Sequence, residues 1–169
     1  MNNTHYILTV MAKDKPGIVR KISDIVLSNQ GSWLESSLSR LGGQFAGIVS
    51  VNIPEDFLND FKKALADIVA DGITVKIQSF DEDNVFEGKP AKIFVEANDR
   101  PGIIDELSEV LMEKRVNVEK LSTHCESASM AGYDLFKAEL SVKLPKRFTV
   151  NKLQSALEKV SDDLMVTIE

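Results

Sequence analysis

A single cysteine, Cys125, stands in 169 residues, so no intrachain disulfide can form. That usage fits a reducing compartment, and the thiol reads as structural. Histidine is nearly as scarce: His5 and His124, even with Cys125, show no metal-ligand spacing. Positive charge is in deficit, with 20 Lys and Arg against 26 Asp and Glu and a formal net charge of −6. Non-specific affinity for phosphate backbones comes largely from Lys and Arg replacing counterions, so direct nucleic-acid binding is disfavoured. No run approaches the ~20 apolar residues of a membrane span, and Met1-Asn2-Asn3-Thr4 has neither the basic start nor the apolar core of a signal peptide. The expectation is a cytoplasmic protein with no membrane partner, no metal and no cofactor.

Catalytic constellations are equally thin. His124 and Cys125 are adjacent, and adjacent strand residues point to opposite faces, so they do not form a nucleophile and its base. Gly42-Gly43 lacks the Lys-Ser/Thr of a phosphate-binding loop and falls between strands, as a hairpin turn. Asp105, Glu106, Glu109, Asp162 and Asp163 read as solvated carboxylates on helix faces or ends. The sequence therefore points to a non-enzymatic protein.

What the chain does have is a repeat. Asp14-Lys15-Pro16-Gly17-Ile18 returns as Asp99-Arg100-Pro101-Gly102-Ile103, 85 residues on. Ile18, Ile22, Ile25 and Val26 match Ile103, Leu107, Val110 and Leu111 at the same offset, the stripe of a half-buried helix. Further along the offset is 91: Phe45, Val51, Pro54, Val75 and Ile77 answer to Phe136, Val142, Pro145, Val166 and Ile168. Six residues are thus inserted, in the hairpin from Cys125 to Ala131.

Each copy reads strand, helix, strand, hairpin, strand, helix, strand. In the first these are 5–12, 16–29, 33–41, 44–53, 55–70 and 73–79; in the second, 91–97, 101–114, 117–125, 133–144, 150–161 and 164–168. The order β-α-β-β-α-β predicts an α+β protein of two ferredoxin-like modules with antiparallel sheets, at 1–80 and 89–169, joined by a polar linker at 81–88. Modules this small are marginal alone, so packing against each other is expected. Phe45, Val49, Val51 and Ile53 share a strand face, while Phe57, Phe61, Ala64, Leu65 and Ile68 in one copy, and Leu153, Ala156, Leu157 and Val160 in the other, follow helical spacing. Trp33, Phe57 and Phe61 read as core. Asp71-Gly72 reads as the stop of the first copy's second helix. The first strand is apolar on both faces, Ile7 and Met11 opposing Tyr6, Leu8 and Val10, so its second face is expected to be covered by the other module, a second chain or a partner.

The repeated Asp-Lys/Arg-Pro-Gly loop opens a helix in both copies. Proline suits a first helical position, and glycine leaves room for close approach. Two readings stand side by side: plain helix capping, or a site where helix-opening amides receive a carboxylate. The second would favour a small acidic or zwitterionic ligand.

Strand, Asp-x-Pro-Gly-Ile, apolar helix, Asn117-Val118 and a hairpin with Gly42 and Phe45 together resemble the ACT domain, a ferredoxin-like module that binds amino acids and regulates metabolism. The tandem arrangement, with Leu41-Gly42-Gly43-Gln44-Phe45 and Leu135-Phe136, is similar to the glycine cleavage system transcriptional repressor family. That resemblance implies a regulator that restrains a DNA-binding transcriptional activator, with glycine, or another small amino acid, relieving the restraint. It implies ligand contacts from Asp14, Lys15, Gly17 and Ile18 in the first copy and from Asp99, Arg100, Gly102, Ile103 and Asn117 in the second. The loop of one module would face the start of strand two in a neighbour, which leaves room for a homo-oligomer. Ser32 replaces the family's usual Asn in copy one, so the two sites need not be equivalent. An ACT regulator of another metabolic pathway and a purely structural interaction module remain the alternatives.

Overall fold

The computed structural model describes residues 3–80, 86–127 and 132–169. Packing divides the chain into two units, 1–83 and 84–169. The tip of the expected insertion, 128–131, and most of the expected linker, 81–85, lie outside the described residues.

Unit one runs β1 (Asn3–Lys13), α1 (Ile18–Ser28), β2 (Ser32–Leu41), β3 (Gln44–Pro54), a 3-10 turn (Glu55–Phe57), α2 (Leu58–Asp67), a second 3-10 turn (Ile68–Asp71) and β4 (Ile73–Ser79). Unit two runs β5 (Lys89–Asn98), α3 (Ile103–Glu113), β6 (Asn117–Ser127), β7 (Asp134–Leu144), α4 (Val150–Glu158) and β8 (Met165–Ile168). The sheets are four-stranded and antiparallel in neighbour pairing, ordered β2-β3-β1-β4 and β6-β7-β5-β8. This is the βαββαβ arrangement read from the sequence.

Strand register confirms the repeat residue by residue. Ala12 lies opposite Phe45, and Ala97 opposite Phe136. Val10 pairs with Val75 and Val95 with Val166. The edge strands β2 and β6 carry a bulge at the matching place, between Trp33 and Glu35 and between Val118 and Lys120.

The core of unit one sits between the sheet and its helices. Leu8, Val10, Val49, Val51 and Ile53 from the strands meet Ile18, Ile22, Val26, Phe61 and Leu65. Each such side chain contributes roughly 1.5–3 kcal/mol on full burial. Trp33 and Phe57 pack against this cluster half-buried, whereas Phe61 is wholly inside. Unit two repeats the plan with Ile93, Val95, Leu140, Val142, Ile103, Leu107, Leu153 and Leu157. On the second face of β1, Met11 and neighbouring Ile48 are 57% and 52% exposed.

The helix boundaries differ from the sequence reading. The first helix of each unit starts at Ile18 and Ile103, not at the prolines. Gly17 (φ 92°, ψ 0°) and Gly102 (φ 91°, ψ −3°) take the left-handed conformation of the third residue in a type II turn, where proline belongs just before. The second helix of unit one is an α-helix framed by two 3-10 turns, and it stops at Gly72 (φ 77°) as read. Helix α4 ends at Glu158 and not Ser161, because Val160 N–H turns back to the Leu157 carbonyl at 3.0 Å and tightens the last turn.

Candidate ligand-binding loops

Both loops are fixed by the same bond to the neighbouring hairpin. Asp14 N–H donates to the Gly43 carbonyl at 2.9 Å, and Asp99 N–H to the Asp134 carbonyl at 2.8 Å. The type II turn then delivers the chain into a helix whose N-terminal residue, Gly17 or Gly102, receives no side-chain cap. The first-turn amides therefore have no intrahelical partner and stand at the positive end of the helix dipole. Glycine is needed here for its positive φ. A Cβ at Gly17 would meet nothing within 4 Å, so close approach by the protein is not the reason.

In unit one this helix start opens on a cleft of 370 Å³ lined by Lys15, Pro16, Gly17, Ile18, Arg20, Lys21, Asp24, Asp71 and Ile73. Lys15 Nζ donates to the Asp71 carbonyl, and Lys21 Nζ pairs with the Asp71 carboxylate. The hydrogen bond from Lys21 holds the Asp71 carboxyl below its ordinary range. Lys21 and Asp71 are 44% and 46% exposed, so solute can compete for the pair. Asp14 is turned the other way: it pairs with Arg40 and lines a separate hollow with Phe45 and Val19. Ile18 is buried and offers its backbone N–H alone, as does Ile103.

Unit two builds the same loop with different charges. Arg100 Nη1 and Nη2 donate to Glu106 Oε1 and Oε2 at 2.9 and 2.6 Å, the planar fork of a guanidinium on a carboxylate. That bonding pulls the Glu106 carboxyl below and pushes the Arg100 guanidinium above their ordinary values. A Cβ at Gly102 would lie 3.8 Å from Glu106 Oε1, so this carboxylate lies beside the start of α3. Asp163, in the place of Asp71, accepts from Ser161 Oγ and from Asn98 N–H, the latter at 3.0 Å, and is likewise lowered. Glu106 and Asp163 are thus bonded components of the loop, and the reading of both as merely solvated is corrected.

The charge contrast extends over six matched positions. Unit one has Asp14, Lys15, Arg20, Lys21, Asp24 and Asp71, three cations and three anions. Unit two has Asp99, Arg100, Asp105, Glu106, Glu109 and Asp163, one cation and five anions. Lys21 and Asp71 were missed in the sequence, although the repeat that sets Lys21 against Glu106 was the signal that could have found them.

Asn117 does not join Arg100 and Gly102 within its own unit. It pairs with Lys143 at one end of β7, whereas Asn98, which leads into the loop, pairs with Leu135 at the other. Eight strand residues separate those ends, about 26 Å at 3.3 Å each. Ser32, opposite Asn52, is equally far from the loop that follows Lys13, opposite Gln44.

Cys125 is an exposed free thiol, not the structural group expected. Partial desolvation first, then its hydrogen bond with Asp99, raises its pKa. His124 pairs across the strands with Lys137 on the opposite sheet face from Cys125. Among the described residues there is no cluster of His, Cys, Asp and Glu suited to a metal, and no helix long and apolar enough to cross a membrane.

Residues 4–78, nearly all of the first unit, match the ACT domain family. The second unit repeats its strand order, bulge and turn, and the whole fold is two ACT-type modules. Two solved structures share this arrangement along nearly their entire length. A protein of unknown function from Galdieria sulphuraria is 23% identical, with a TM-score of 0.83, over 99% of this chain and 98% of that one. A proposed glycine cleavage system transcriptional repressor is 14% identical, with a TM-score of 0.71, over 100% of this chain and 98% of that one. No match is found among curated proteins.

Proposed function

We propose that this protein is an amino-acid-responsive regulator, and that it restrains a DNA-binding activator of glycine cleavage genes until glycine binds. The observation that carries the ligand half is the cleft at the start of α1. Uncapped amides, Lys15 and Lys21 line a cleft there with ample room for an amino acid, and the first unit matches the ACT domain family. The carboxylate would lie on the amides of Ile18 and Val19, with Lys21 exchanging Asp71 for it. Start-of-strand residues such as Asn117 or Ser32 would come from a second copy of the chain.

The regulatory half is supported by the full-length fold likeness to a proposed glycine cleavage repressor and by a net charge of −6, which suits contact with another protein better than with DNA. The ligand acts only through unequal affinity for the free and activator-bound forms.

Thermal unfolding in a panel of amino acids tests the ligand, because binding to the folded state adds RT ln(1 + [L]/Kd) of stability. Glycine should raise the midpoint most. A different amino acid in first place would assign the regulator to another pathway, and no shift with any would reduce the protein to an interaction module. For the partner, purified protein alone should leave promoter DNA unretarded but alter the activator–DNA complex, with glycine reversing that change. Salt-sensitive DNA binding by this chain alone would sink the accessory role.

A further inference from the structure

We infer that Glu106 is a built-in carboxylate that closes the second module's loop to outside ligands, so that the chain responds through its first module alone. This rests on the amino-acid reading above and specifies which of the two loops serves it. Arg100 is the one cation among the six matched loop positions of unit two, and Glu106 engages both of its terminal guanidinium nitrogens. The same carboxylate lies beside the left-handed Gly102 that opens α3, where an incoming carboxylate would seek the first-turn amides. An external anion must therefore displace a tethered one that is permanently at high effective concentration. It must also approach Asp99, Asp105, Glu109 and Asp163, which repel it. The matching position in unit one is Lys21, and α1 has no acidic residue in its first turn. Duplication has left two loops with one backbone, one of balanced charge and one acidic.

The test is amide-resolved NMR titration of the full chain with sodium acetate, a bare carboxylate probe, and with glycine. It compares the native protein with Glu106→Ala, which removes the tethered group from a half-exposed helix position. In the native protein Ile103, Ile104 and Asp105 amides should stay in place. In Glu106→Ala they should move on acetate addition, with affinity at that loop tighter by about tenfold, the scale of one charge-assisted hydrogen bond. Sulfate should act similarly. Equal response of these amides in both proteins, or no response in either, would overturn the closure by Glu106. The Ile18, Val19 and Arg20 amides report separately on the amino-acid reading. If they ignore glycine while Glu106→Ala opens the second loop, that reading fails and the closure stands.

Discussion

Arg100 grips Glu106 through two hydrogen bonds of 2.9 and 2.6 Å, and the residue that the internal repeat sets against Glu106 is Lys21. Two substitutions of sign, Arg20 against Asp105 and Lys21 against Glu106, thus separate a loop of balanced charge from a loop with one cation and five anions. Both lie on the same type II turn, bonded to the same hairpin, so the difference is electrostatic and not architectural.

The pair should titrate. Hydrogen bonding from Arg100 lowers the Glu106 pKa, so its contribution is complete above the ordinary Glu range and is lost as pH falls through the folded value below it. Carboxyl NMR should show Glu106 titrating below the ordinary Glu range, and Arg100→Gln should bring it back up. The stability difference between native protein and Arg100→Gln should vanish at acid pH. An unchanged Glu106 midpoint in Arg100→Gln would show that the pair is not formed in solution.

Turn geometry gives a second expectation. A Cβ at Gly102, φ 91°, would meet only Glu106 Oε1 at an ordinary contact distance of 3.8 Å, so Gly102→Ala tests conformation more than fit. It should destabilise by about 1–2 kcal/mol, the left-handed penalty for a residue with a β-carbon. Gly17→Ala should cost the same. A neutral result in denaturant melts would mean that the turn is not held as described. Gly102→Val carries the same strain, so loss of ligand in that variant would not by itself place the ligand.

Helix α1 sets the core test. Ile22 is fully buried whereas Lys62 on α2 is exposed. Ile22→Asp should cost on the order of 3 kcal/mol or more, by placing a carboxylate among aliphatic side chains. Lys62→Asp should stay within about 0.5 kcal/mol. Equal urea midpoints would put the helix on its wrong face.

The thiol offers a fourth. Partial desolvation and then Asp99 raise the Cys125 pKa, so alkylation by iodoacetamide near neutral pH should be slow despite exposure. Asp99→Asn should speed it. A rate indifferent to that substitution would place the carboxylate elsewhere.

Much of this fold was legible because periodicity is a property of faces. The stripe Ile18, Ile22, Ile25, Val26 and the alternation Val49, Val51, Ile53 declare which side is buried without knowledge of any neighbour. The duplicated register did the rest, since pairs such as Val10–Val75 and Val95–Val166 recur. The helix start was misplaced because Pro-Gly suits both a first helical turn and a type II turn, and only φ at Gly17 decides. The charges of the site were less legible. Glu106 has the composition of a solvated helix residue, and its partner Arg100 lies outside the helix, beyond the reach of i, i+4 reasoning. Asp71 reaches Lys21 across 50 residues, a contact that local pattern does not encode.

Calorimetric titration of glycine into the native chain and into Lys21→Glu is the most direct test of the account. Native protein should bind one glycine per chain, and Lys21→Glu, which puts the sign of Glu106 at the matching position of the first loop, should abolish the heat while the chain still unfolds cooperatively. Two equivalent sites, or undiminished affinity in Lys21→Glu, would contradict it.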